Sequence, residues 1–118
     1  MSEIKVTVQD FVDRFKELNL TPVTTEWGLT VSKGVIEPKN GCSCALGVMI
    51  IGTDLGAIDH YEDELDENGA VTFACAWAAD QGINTEDFLS GYDWFEGDIY
   101  GSTESFELGK NVRKALGL

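Results

Sequence analysis

The sequence predicts an α+β fold, mostly α, in which about four to five helices pack with one short β-hairpin in the N-terminal half. Three observations predict it. Apolar residues recur at helical spacing near the start and again in the last third of the chain. A Gly-containing turn separates two β-rich stretches between residues 27 and 37. An Ala-rich, nearly uncharged run over residues 71–80 reads as a further helix. The 118 residues are 43% hydrophobic and carry no internal repeat or low-complexity linker. A single acidic globular domain over residues 1–118 is expected, burying roughly two thirds of its unfolded-chain surface.

Taken in order, residues 7–19 form an amphipathic helix. Thr7 with Asp10 resembles a capping box, Asp standing where Glu is usual. Phe11, Val12, Phe15 and Leu18 share one face, while Asp13, Arg14, Lys16 and Glu17 fall on the other. Thr21-Pro22 is expected to end this unit. The stretches Trp27-Gly-Leu-Thr-Val31 and Val35-Ile36-Glu37 flank Ser32-Lys33-Gly34 as a hairpin. Pro38 forbids a central strand there, and Asn40-Gly41 closes the unit as a turn.

Residues 43–51 are apolar all round and fit a short buried helix in which Gly47 permits close packing; a buried strand over 48–51 is the alternative. Residues 52–69 form a long acidic connection, with room for a short helix around 55–65. The run 71–80 is a central buried helix ended by Gly82. Asn84 or Thr85 caps the next helix, with Glu86 and Asp87 in its first turn and a buried face of Phe88, Leu89, Tyr92 and Phe95. Ser102 or Thr103 caps the last. Its Glu104 is early and its Lys110, Arg113 and Lys114 late, as the helix dipole favours, and Leu108, Val112, Ala115 and Leu116 face inward.

The net charge of −13 is unevenly placed. Residues 1–40 hold six acids and five bases, and residues 102–118 hold two acids and three bases. Residues 41–101 hold thirteen acids and neither Lys nor Arg. Contact between this middle segment and nucleic acid or an anionic membrane is disfavoured, since phosphates are bound by Lys and Arg. The longest apolar run is far short of the ~20 residues of a membrane helix. The opening residues carry no apolar signal region. A cytoplasmic protein is expected.

Candidate chemistries fit the sequence poorly. Cys42, Cys44 and Cys75 are an odd set, and Cys42-x-Cys44 with Cys75 and His60 departs from zinc-ligand spacing. Cysteine catalysis would need a thiolate and a base, and His60 is the single histidine; inert cysteines are the stronger reading. A calcium loop begun at Asp59 meets Glu64 where Gly is required, and one begun at Asp93 fails at Phe95. No phosphate-binding glycine loop or hydrolase motif is present. No cofactor and no dedicated metal site are expected.

Recognition remains. Trp94 falls about 120–140° from Phe88 and Leu89 on a helix advancing about 100° per residue, at the edge of the buried face or beyond it. Asp93, Trp94, Glu96, Asp98 and Tyr100 then make an acidic–aromatic stretch. Glu62, Asp63, Glu64, Asp66 and Glu67 make a second acidic stretch. Such surfaces suit a basic partner, because carboxylates pair with Arg and Lys and aromatic faces accept guanidinium groups. The same acids would equally serve as solvated surface, with Trp94 and Tyr100 packed under the loop.

Three further segments, Cys44-Ala-Leu-Gly47, Gly91-Tyr-Asp93 and Phe106-Glu-Leu-Gly-Lys-Asn-Val-Arg113, occur together. In these the last two thirds of the chain resembles a loose group of small uncharacterised bacterial and phage proteins. That group has a Cys-x-Leu-Gly helix, a Gly-aromatic-Asp turn and a closing aromatic-x-Leu-Gly-x-x-Val-Arg helix. Where the group continues Gly-Phe-Asp-Gly, this chain has Gly91-Tyr-Asp-Trp-Phe. The resemblance implies no activity; it implies close helix packing at Gly47 and Gly109.

The leading expectation is a non-enzymatic acidic binding protein that docks on a basic protein surface. One form of it is a phage-type inhibitor occupying the nucleic-acid-binding site of its partner. The alternatives are a small enzyme or metal-dependent protein using His60, nearby acids or cysteines, and a structural or regulatory oligomer subunit.

Overall fold

The computed structural model describes residues 4–58, 61, 63–94 and 103–118, and of Trp94 the backbone. Among the described residues, five α-helices, a two-stranded antiparallel hairpin and a parallel strand pair make an α+β fold that is mostly α. Helix α1 spans Val8–Leu18. Its capping box is complete: Thr7 Oγ1 accepts from the Asp10 N–H at 3.3 Å, and Asp10 Oδ2 accepts from the Thr7 N–H at 2.8 Å. Phe11 and Phe15 are buried as the spacing predicts. Asn19, in the left-handed region at φ 53°, ends the helix. Thr21-Pro22 does not act as the stop. Those residues form strand β1, Thr21–Pro22, parallel to β4, Cys42–Ser43, a pairing of distant segments that local sequence cannot show.

The hairpin joins β2, Leu29–Ser32, to β3, Val35–Pro38, and pairs Ser32 with Val35. Lys33 and Gly34 between them have φ of 52° and 84°, the two positive values of a tight hairpin turn. Leu29 and Ile36 point into the core while Thr30 and Glu37 face solvent. Residues 52–54 lie along the outer edge of β3 through Ile36 N–H to Thr53 O and Gly52 N–H to Ile36 O.

Helix α2 covers only Ala45–Val48. The apolar stretch therefore stays helical for one turn rather than to residue 51. Its end is held from outside: Arg14 Nε donates to Val48 O at 3.1 Å and Arg14 Nη2 to Ile51 O at 2.8 Å. Arg14 is thus half-buried and turned toward α2, not out on the polar face of α1. Two part-buried carbonyls at and past the end of the helix need donors, and a guanidinium supplies several in a fixed fork.

The acidic connection contains a short 3-10 turn at Leu55–Ala57. Helix α3, Glu67–Asp80, starts earlier than the Ala-rich run because Asp66 Oδ1 caps it at the Gly69 N–H, 3.1 Å away. It is not buried all round. Ala70, Ala74 and Ala78 form one buried stripe, while Thr72, Ala76, Ala79 and Asp80 are exposed. The small side chains bring the backbone of α3 close to its neighbours, so alanine marks a contact line here rather than a central position.

Helix α4, Thr85–Leu89, is capped by Asn84 and runs into a single π-helical turn, Ser90–Trp94. Helix α5, Glu104–Ala115, is capped by Thr103. Glycine decides how these pieces cross. A Cβ on Gly109 would strike the Phe88 carbonyl oxygen, and one on Gly91 would strike that of Phe106. Val112 is buried as expected, but Ala115 is exposed, lying beyond the crossing. Phe88 and Tyr92 are fully buried, Leu89 is half-buried, and Phe95 lies outside the described residues.

Two buried clusters result. One gathers Phe11, Phe15, Leu46, Phe88, Tyr92 and Val112, with Phe11 and Phe88 stacked at 5.4 Å. The other packs Leu29, Ile36, Ile50 and Leu55 on Ala70 and Ala74, while Ala78 of the same stripe belongs to the first cluster. Trp27 and Trp77, both half-buried, touch both clusters and join them. The segments that carry the resemblance meet in the first cluster, through Cys44, Tyr92 and Val112.

Candidate functional site

The acidic stretch at residues 63–67 is an exposed turn. Asp63, Glu64, Asp66 and Glu67 all face solvent, and Leu65 among them is 42% exposed. Glu64 N–H donates to Tyr61 O, and the Tyr61 ring meets Phe73 of α3 edge-on at 5.8 Å. Gly69 has no space for a Cβ, because the Glu64 carbonyl lies against it. Glu67, in the first turn of α3, sits where the helix dipole favours negative charge. Four carboxylates are therefore displayed from a turn anchored at both ends. Glu62, and with it His60, lies outside the described residues.

The acidic–aromatic stretch that opens at Asp93 is arranged differently. The sequence places Trp94 on an α-helix running through residues 85–96, but the π-turn changes the angular spacing after Leu89. The Trp94 side chain, Glu96, Asp98 and Tyr100 lie outside the described residues. Asp93 is half-buried and engaged: its Oδ1 accepts from the Thr25 N–H at 3.0 Å. Arg113 Nη1 donates to the carbonyls of Tyr92 and Asp93 at 3.0 and 2.8 Å. Tyr92 Oη donates to Val23 O at 2.9 Å. Burial pushes the Asp93 carboxyl above the usual carboxylate value, against the Thr25 N–H and Arg113, which pull it down. Tyr92 and Asp93 together tie residues 23–25 to α5 through Arg113.

Beneath Asp93 lies a cavity of about 60 Å³ lined by Thr25, Glu26, Trp27, Cys44 and Leu89. That is room for about two waters, well below the ~300 Å³ of small ligand sites. Burial pushes the Cys44 thiol up to about 12, with Asp93 adding to the effect against the Gly47 N–H. Cys44 Sγ accepts from that N–H at 3.2 Å, serving as the cap of α2. A thiol held neutral in this way is a poor nucleophile. Cys42 and Cys75 are half-buried. Among the described residues, no three of His, Cys, Asp and Glu come together as metal ligands.

Glu26 and Trp27 stand between the two acidic stretches, and sequence reasoning overlooked both. They line the small cavity with Asp93, and on their other side they line a groove of about 340 Å³ with Gly28, Lys39, Asn40 and Glu67. Residues 23–28 form an irregular loop pinned to β4 and α2. Val23 N–H donates to Ser43 O, and the Trp27 carbonyl accepts from the Cys44 N–H at 3.0 Å. Thr25 and Gly28 both take positive φ, 67° and 65°, and a Cβ on Gly28 would lie 2.9 Å from Ser43 Cα. This path leaves Glu26 exposed and the Trp27 side chain half-buried beside Glu67. The local signal was Glu26-Trp27 just ahead of a glycine; read as strand entry, it gave no reason to look for a groove.

A larger cavity, about 600 Å³, lies where α3 ends and α4 and α5 begin, lined by Ile83, Asn84, Asp87, Thr103 and Ser105. Several of its polar side chains are already engaged: Ser105 Oγ accepts from the Asn84 N–H, and Thr103 Oγ1 donates to Asp87 Oδ2. Among the described residues, no helix is long and apolar enough to cross a membrane. No protein-family model, curated protein or solved structure matches this chain.

Proposed function

We propose that this protein is a non-enzymatic binding protein whose acidic surface docks on a basic protein surface. The observation that carries the reading is the pairing of charge and construction at residues 63–67. Thirteen acids and neither Lys nor Arg occupy residues 41–101. Four of these acids are displayed beside exposed Leu65 on a turn braced by the cap of α3 and the Tyr61–Phe73 contact. A braced turn loses little conformational freedom on binding, and an apolar residue ringed by carboxylates matches a hydrophobic pocket with a basic rim. Dense negative charge also speeds encounter with a cationic partner at low salt.

A basic surface of this kind is often one that binds nucleic acid, so occupation of such a site, as by a phage-type inhibitor, is the specific form proposed. Capture of partners from a cell extract at low and moderate salt tests the reading. Basic proteins should be retained, should be released as salt rises, and should be displaced by added nucleic acid. Retention should fall in the Asp63→Lys, Glu64→Lys double variant. Failure to retain any protein, or retention indifferent to salt and to the double variant, would overturn it.

A further inference from the structure

The groove beside Trp27 has a composition that the acidic turn lacks, and that composition selects among cations. Three elements converge on it: the 23–28 loop with Glu26 and Trp27, the Asn40-Gly41 turn, and the first residue of α3, Glu67. Its lining thus combines an indole with carboxylates that come from separate parts of the chain. Its volume, about 340 Å³, lies at the lower end of the range for small-ligand pockets. Lys39 stands on its rim, yet among the described residues it makes no ion pair with a groove carboxylate. The groove therefore holds two carboxylates, Glu26 and Glu67, against one ammonium that neither of them pairs with.

We propose that this groove is the seat of one arginine side chain of the partner protein, a reading that rests on the acidic docking surface proposed above. The guanidinium is planar and weakly hydrated; it lies against an indole face and offers paired N–H donors to carboxylates. An ammonium group is compact and strongly hydrated, and gains less from an indole in a partly open groove. Glu26 and Glu67 supply the acceptors and Trp27 the stacking surface. Lys39 opposes entry of a second cation and sets the affinity below what the two carboxylates alone would give. Glu67 also places the groove at the edge of the 63–67 turn, so one basic surface spans both.

The probes are two capped peptides of equal length and charge, oligo-arginine and oligo-lysine, with binding read by calorimetry at low salt. The arginine peptide should bind about three- to tenfold more tightly. Glu26→Gln should abolish most of that preference, and Lys39→Ala should tighten arginine binding several-fold. Both residues are exposed, so neither change threatens the fold. Trp27→Leu should also remove the preference; because Trp27 joins the two cores, its result counts only alongside an unchanged circular dichroism spectrum, and Glu26→Gln decides otherwise. Equal binding of both peptides, insensitive to Glu26→Gln and Lys39→Ala but lost on charge reversal at Asp63 and Glu64, overturns the arginine seat and leaves the acidic docking surface standing. Binding of neither peptide overturns both.

Discussion

Residues 63–67 and the segment that opens at Asp93 look alike in sequence, each a cluster of acids with an apolar neighbour, yet they are built for different work. In the first, the chain turns outward before α3, and the acids contact backbone N–H groups only where they cap the helix. In the second, a π-turn directs Asp93 inward, where it receives the Thr25 N–H while Arg113 holds the carbonyls beside it. The difference does not lie in residue type. It lies in what the backbone does immediately before the acids: one stretch precedes a helix, and the other ends one against a crossing helix. An acid at a helix start is free to display its charge, whereas an acid at a packed helix end is recruited to close a loop.

The largest expected effect comes from breaking the crossing that turns Asp93 inward. Gly109→Ala places a methyl against the Phe88 carbonyl and the Tyr92 nitrogen, both backbone atoms. It should cost about 2–3 kcal/mol in urea unfolding, the upper part of the range for overpacked cores. A loss under about 0.5 kcal/mol would show that the two helices move apart easily.

A smaller effect should sharpen the description of the exposed turn. Asp66→Ala removes the cap at Gly69 and should cost about 1 kcal/mol, while Asp63→Ala should change stability by under about 0.5 kcal/mol. Both should weaken salt-sensitive partner capture, so stability and binding separate within one turn. Equal stability losses would mean that Asp63 has a structural role the contacts do not show.

The smallest effect is a change of slope. Since the folded Asp93 carboxyl holds its proton more tightly than the unfolded one, the folded state binds more protons just above the ordinary carboxylate value. Stability contributed by the protonated form is complete below that value and is lost as pH rises through the raised one. Asp93→Asn, which stays neutral and keeps an oxygen for the Thr25 N–H, should remove this loss. Its stability relative to the parent protein should improve as pH rises through the mildly acidic range, by thermal melting. A constant difference across pH would place Asp93 in a more solvated setting than its contacts imply.

Much of the helical content was legible because its causes are local. The Thr7–Asp10 box, the Phe11 and Phe15 spacing, the Lys33-Gly34 turn and the caps at Asn84 and Thr103 all act within a few residues of one another. The candidate site was legible only in part. The sequence marks the acids at 63–67 as surface, and they are exposed; it marks Asp93 as surface too, and there the structure engages the carboxylate. Glu26 and Trp27 were missed, since a groove made by three distant segments leaves no periodic trace.

By itself the sequence determined the α+β class, the position of most helix starts and the concentration of negative charge between residues 41 and 101. Each follows from chain chemistry within a turn or two, or from simple counting. Only the tertiary structure decided that α2 stops after one turn under Arg14, that the alanines of α3 line one contact face, and that Thr21-Pro22 pairs with Cys42-Ser43. It also decided which acids face water. Those outcomes depend on which distant backbone must be supplied with hydrogen bonds and how closely two helices can cross, and neither is written in any one stretch of the chain.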